Sequence, residues 1–115
     1  MRVFVYWNLH KGMWSVKAME GAHKGRVIAR VGELALTNAT FKVSRAGRER
    51  VLREQCKNVH AGVVGDLTDS RDVYGTVRVT YNPYKYSTFV KADAPDEPIR
   101  DAAQVKFYSD RSVYI

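Results

Sequence analysis

Residues 2–19, "RVFVYWNLHKGMWSVKAM", decide the fold class. The segment from Arg2 to Trp7 is dominated by β-branched and aromatic side chains, which suit a pleated, half-buried strand. Alternation puts Val3, Val5 and Trp7 on one face and Phe4 and Tyr6 on the other. His10, Lys11 and Gly12 make a turn, and Met13–Met19 returns beside the first strand as a hairpin. The opening arginine and short apolar stretch lack a small-residue cleavage site and alternate, so they read as a strand and not a signal peptide.

The same alphabet continues. "EGAHKG" (20–25) is a second turn, punctuated by Gly21 and Gly25, with Gly25 expected at a positive φ angle. "RVIARV" (26–31) is a third strand that Gly32 ends, and "ELALT" (33–37) and "TFKVS" (40–44) are two short ones. From Ser44 to Cys56 the pattern changes to "SRAGRERVLREQC", rich in good helix formers, with Ser44 as N-cap. On that helix Val51, Leu52, Gln55 and Cys56 share one arc, while Arg50, Arg53 and Lys57 share the opposite one. "NVHAGVVGDL" (58–67) reads as a strand, "TDSRD" as a polar turn and "VYGTVRVTY" (73–81) as a longer strand, with Val77, Val79 and Tyr81 toward the core. Asn82-Pro83 turns the chain into "YSTFVK" (86–91). "ADAPDEPIRD" (92–101), with two prolines and four acids, is expected to be a surface loop. "AQVKFY" and "RSVYI" close the chain as a hairpin around Ser109-Asp110. The expected fold is α+β: one domain over residues 1–115, mostly antiparallel β, as a curved sheet or small SH3-like barrel, with one helix at about 44–56.

Charge narrows the partners. The chain of 115 residues carries a formal net charge of +7, which favours polyanions. Residues 1–31 hold six cations against one acid, and residues 42–57 hold six against two. Residues 92–115 are net acidic. Glu49 with Arg53, and Arg50 with Glu54, stand at ion-pair spacing on the expected helix, which leaves Arg45, Arg48 and Lys57 unpaired there. No apolar run is long enough to span a bilayer as a helix. The single cysteine, Cys56, excludes an internal disulfide and fits a reducing cytoplasm.

Motifs for chemistry are sparse. Cys56 and His60 are four residues apart, but the asparagine, valine and glycines around His60 end the helix, and no paired Cys or His ligand motif is present. No metal or other cofactor is expected. His60 is the candidate base for metal-independent RNA cleavage, with Arg48, Arg53 or Tyr81 nearby in the fold and cations on the phosphate. No Ser-His-Asp, phosphate-loop or paired-carboxylate signature accompanies it. Tyrosines are dense: Tyr74, Tyr81, Tyr84 and Tyr86 fall within thirteen residues, beside Arg78 and Lys85. That mixture is what single-stranded nucleic-acid platforms use, and also what protein–protein hot spots use. The candidate binding residues are therefore Lys24, Arg26, Arg45, Arg48, Arg50, Arg53, Lys57, Arg78, Tyr84, Lys85 and Tyr86.

Two resemblances attach to these residues. "GAHKGRV" (21–27) resembles part of the KOW motif of small SH3-like barrels in ribosomal and transcription proteins, in which a Lys-Gly turn contacts RNA or protein. Here Val27 and Ile28 stand where that motif has a further glycine. "RVFVYWNLHKGMWSV" (2–16), "VSRAGRERVLREQCKNVHAGVVG" (43–65) and "TYNPYKYSTFV" (80–90) together resemble a group of small uncharacterised proteins of tailed bacteriophages and prophages. That resemblance implies the cytoplasm of an infected bacterium and names no catalytic residue. The expected function is non-enzymatic nucleic-acid binding. The alternatives are inhibition of a host protein or nucleoprotein complex, such as a CRISPR-type immune effector or RNA polymerase, and ribonuclease activity through His60.

Overall fold

The computed structural model describes residues 1–8, 11–43, 49, 52, 53, 61–81 and 88–115. Ten strands run through them: β1 (Arg2–Asn8), β2 (Met13–Ala18), β3 (Val27–Val31), β4 (Leu34–Val43), β5 (Ala61–Thr68), β6 (Arg78–Thr80), β7 (Phe89–Lys91), β8 (Ala94–Ile99), β9 (Asp101–Phe107) and β10 (Val113–Tyr114). One turn of 3-10 helix lies at Ser70–Asp72. The strands form a single sheet in the order β3-β2-β1-β5-β4-β9-β10-β6-β7-β8. Every pairing in it is antiparallel.

Chain connectivity forces this sheet to curl. β2, β1 and β5 lie between β3 and β4, so a flat sheet would separate those two by four strand spacings, about 19 Å. Only residues 32 and 33 connect them, a reach of about 11 Å at most. The other half repeats the situation. β10, β6 and β7 lie between β9 and β8, yet Arg100 alone joins β8 to β9. Each five-strand half therefore bends back on itself, and the two halves meet where β4 pairs with β9. Arg100 also anchors the centre, its carbonyl accepting from the Phe41 amide at 2.8 Å.

The concave side holds the core. Val3, Val5, Trp14, Val16, Leu36, Phe41, Val63, Val79, Ile99, Val105, Phe107 and Val113 belong to one buried cluster that spans both halves. The β1 alternation holds as read: Val3 and Val5 are buried, Trp7 packs against the cluster, and Phe4 and Tyr6 lie together on the convex side with ring centroids 5.8 Å apart. The predicted inward set on the sixth strand holds best at Val79, which is buried, while Tyr81 stacks on Phe89 at 5.4 Å. Across the interior, the Trp14 indole lies edge-on to Phe107 at 4.8 Å and donates Nε1–H to the Tyr108 carbonyl at 2.9 Å. Trp14→Phe keeps a six-membered aromatic ring but loses the donor together with the five-membered half of the indole. It is expected to cost about 1–2 kcal/mol, read as a lower urea midpoint at unchanged slope; an unchanged midpoint would mean the bond does not help fasten β2 to β9.

Three expectations need correction. The proline-rich stretch 92–101 is not a loop but contains β8 and the start of β9. β8 is an edge strand, where a proline's missing N–H costs no ladder bond and where Pro95, Asp96, Glu97 and Pro98 stand exposed. "ELALT" and "TFKVS" are one ten-residue strand, β4, with its register against β5 interrupted between Thr37 and Thr40. Asn38 sits in that irregularity at φ 49, a left-handed conformation that asparagine tolerates. The long strand expected at 73–81 is shortened to β6, because residues 70–72 coil and residues 76–77 instead bond to Ile115. At the start of that coil the Asp69 carboxylate caps the turn through the Arg71 amide, and hydrogen bonds from Arg71 hold its pKa down to about 2. The helix expected at 44–56 falls for the most part outside the described residues; Glu49, Leu52 and Arg53 are described and are helical. The Asn82-Pro83 turn lies wholly outside them.

Candidate nucleic-acid interface

Among the described residues, the β2–β3 hairpin carries the densest group of cations without a carboxylate partner. Residues 20–30 are exposed without interruption, which includes Lys24, Arg26 and Arg30. Backbone bonds fix the turn: Gly25 N–H donates to the Ala18 carbonyl at 2.8 Å, Ala18 N–H to Arg26 at 2.9 Å, and Arg26 N–H to His23 at 2.9 Å. Gly25 has φ 86, as its place in the turn requires, and open space surrounds its α-carbon. Pairing sets Lys17 opposite Val27 and Ser15 opposite Arg30, so Lys17 and Arg30 share the convex face with Phe4 and Tyr6. The nearest acid in the sequence, Glu20, accepts from the Arg2 amide at 2.9 Å.

Ion pairing separates the cations of this hairpin from four others of the described surface. Arg2 faces Asp66, Arg71 faces Asp69, Lys91 faces Glu97 and Lys106 faces Glu33, all within 4 Å. Among the described residues, none of Lys17, Lys24, Arg26 and Arg30 has such a partner. β3 is also one of the two sheet edges, and the register shift at Val16/Lys17 twists it there. Val27 and Ile28 add apolar surface beside the charges, at 37% and 39% exposure.

A second group sits on the convex side of the other half. Tyr114 on β10 is paired with Lys106 on β9 and with Arg78 on β6, which sets the three in one row. The Tyr108 ring meets Tyr114 at 5.4 Å and 90°. Lys106 donates to the Ser70 carbonyl at 2.9 Å and lies over the Tyr108 ring at 5.4 Å. Gly75 passes so close to Tyr114 that a Cβ there would lie 2.5 Å from the tyrosine's own. Tyr74, the preceding residue, has its carbonyl held by Gln104 Nε2 at 3.0 Å while its side chain is 79% exposed. Asp110, nearby, has its pKa lowered, first by the Ser112 hydroxyl and then by the Ser112 amide, and it feels the Arg78 charge.

Of the residues singled out in the sequence, the structure brings Lys24 and Arg26 together and joins to them Lys17 and Arg30, which sequence reading had counted only as charge. Arg78 lies with six strands between it and β3 in the sheet order. Arg53 is exposed, while Arg45, Arg48, Arg50, Lys57, Tyr84, Lys85, Tyr86 and His60 lie outside the described residues. Among the described residues no group of three or more His, Cys, Asp and Glu side chains is placed to hold a metal ion, and no helix is long and apolar enough to cross a membrane.

The whole chain, residues 1–115, matches the family described as Mycobacterium phage L5 gene 82 protein. The "Gene 82 protein" of Mycobacterium phage L5 is 45% identical to it over 121 residues, covering 98% of this chain and 94% of that relative. No solved structure matches the chain.

Proposed function

The chain belongs to the family of the Mycobacterium phage L5 gene 82 protein, and from that premise we propose that it is a phage-encoded, non-enzymatic protein that binds nucleic acid in the cytoplasm of the infected bacterium. The observation that carries this reading is the β2–β3 hairpin, where Lys17, Lys24, Arg26 and Arg30 have no carboxylate partner among the described residues. Each phosphate they neutralise releases a condensed counterion, which favours binding at low salt. The helix read from the sequence at 44–56 would extend the footprint through Arg45, Arg48, Arg50, Arg53 and Lys57.

The test is binding to RNA and DNA oligonucleotides by fluorescence anisotropy across a salt series. Affinity is expected to fall steeply with salt. In a Lys24→Ala/Arg26→Ala/Arg30→Ala variant the log–log slope should shrink by about 2–3, because each lost phosphate contact removes about 0.7–0.9. An absence of binding at low salt, or an unchanged slope in the variant, would sink the reading. Capture of a host protein that survives nuclease treatment, without oligonucleotide binding, would replace it with inhibition of a host complex.

A further inference from the structure

The geometry points to a base-stacking site for single-stranded nucleic acid at Tyr74, Tyr108 and Tyr114 with Arg78. This rests on the nucleic-acid reading above and names the form of polymer that the protein takes.

Among the described residues, most other aromatic side chains pack against one another within the fold. Trp7, Trp14 and Phe107 make a run of edge-on contacts in the core. Phe41, Phe89 and Tyr81 make a second run. Phe4 and Tyr6 are partly open and meet each other on the convex face at 5.8 Å. What sets the β9–β10–β6 end apart is the exposed ring of Tyr74 beside two further tyrosines. Tyr108 and Tyr114 remain partly open, and Tyr74 has the largest exposure of the exposed large hydrophobic residues in the described chain.

Their arrangement is held in place without being covered. The Lys106 ammonium, itself fixed by the Ser70 carbonyl, lies over Tyr108. The close pass of Gly75 seats the neighbouring chain on Tyr114. Gln104 pins the backbone of Tyr74 while its ring stays in solvent. The Tyr108 and Tyr114 rings, fixed in this way, lose little conformational entropy when a ligand arrives. Because Tyr108 and Tyr114 are perpendicular, a flat ring laid on one of them stands edge-on to the other. A nucleobase has that shape. Arg78, exposed and next to Tyr114 in the row, supplies a cation for the phosphate beside the base. Asp110 lies near enough to Arg78 to feel its charge, but its carboxylate is already bonded to Ser112. Only an unpaired strand presents base faces, because a duplex stacks them on one another.

The experiment compares three ligands of equal length at one low salt concentration: a single strand, the same strand made of abasic nucleotides, and the duplex. The hairpin needs only phosphates, whereas the tyrosines need bases. The wild-type protein is expected to bind the base-bearing strand roughly five- to a hundredfold more tightly than the abasic one. Tyr74→Ala should narrow that gap, and Tyr74→Ala/Tyr114→Leu should close it, with abasic affinity unchanged. Tyr74 is so exposed that its removal leaves the core intact, so Tyr74→Ala alone decides the matter if the double variant does not fold. Equal binding of the base-bearing and abasic strands overturns the stacking site while leaving the hairpin reading standing. Preference for the duplex, or a base preference that Tyr74→Ala does not change, also overturns it. Failure to bind any of the three overturns the nucleic-acid reading itself.

Discussion

Phe107→Ala is expected to lower the stability of the domain by about 3–5 kcal/mol. Phe107 is 1% exposed and lies on β9, opposite Leu34 of β4 and Val113 of β10. Its ring is therefore at the centre of the sheet, where the two curled halves meet. Across the concave side it receives the edge of Trp14, a residue from β2, with three strands between them in the sheet. Trp14 in turn receives Trp7 at 5.0 Å. Removing the ring loses its burial, opens a cavity and leaves the Trp14 indole without a wall. The Trp14 hydrogen bond to Tyr108 depends on the same placement, so its loss should be coupled to that of the ring. For a domain of this size the melting temperature should drop by roughly 10–20 °C. Val27→Ala on the exposed edge strand is the control and should change stability by less than about 0.5 kcal/mol. A Phe107→Ala effect below about 1 kcal/mol would mean that the halves are not held together through this ring.

Much of the sheet could be read from the sequence, and the parts that could not share a cause. The first hairpin announces itself because its faces differ: Val3 and Val5 meet Ala18 and Val16 on one side, and Phe4 meets Lys17 on the other. The register is written in that difference, since a one-residue slip would bury the wrong set. β8 is invisible because an edge strand with one buried residue, Ile99, needs no alternation and tolerates prolines. β4 looks like two strands because the irregularity at Asn38 interrupts its alternation without ending its pairing to β9. The sheet order is not local information. Nothing in Gly32 and Glu33 says that they turn between strands separated by three others; that follows only from β5 inserting beside β1, a pairing of residues about sixty apart.

The candidate site divides along the same line. Lys24 and Arg26 could be found from sequence because one turn holds both. Lys17 and Arg30 needed the β2–β3 register to place them on the same face. Among the tyrosines, density along the chain drew attention to residues 74–86, whereas Tyr108 and Tyr114 join Tyr74 and Arg78 only through the antiparallel pairing of β10 with β9 and β6. The signal was present in "KFY" and "VYI" as aromatics one residue beyond a buried one, but alternation alone reads them as ordinary outward positions.

Gly62→Ala is expected to be nearly as damaging as loss of the Phe107 ring, by the opposite mechanism. Gly62 is on β5, paired with Lys42 of β4, and the β1–β5 ladder ends one residue away, at Val5 opposite Val63. A Cβ at Gly62 would lie 2.5 Å from the Val5 carbonyl oxygen and 2.6 Å from two carbons of the Phe4 ring. The ring occupies the space that a side chain would take. Phe4 faces the convex side, so its ring has room to swing, but the Val5 carbonyl is backbone within the strand that the first hairpin is built on. Clearing the methyl group therefore means prising β1 from β5 where their ladder ends. The expected cost is about 3 kcal/mol, the upper end of ordinary overpacking. The contrast with Gly25→Ala isolates the cause: that position has open space and φ 86, so its cost is one of backbone conformation, about 1 kcal/mol. A Phe4→Ala/Gly62→Ala pair separates the two obstacles at Gly62. If the carbonyl is the obstacle, truncating Phe4 recovers little of the loss; a double variant no less stable than Phe4→Ala alone would show that the ring was all that stood in the way.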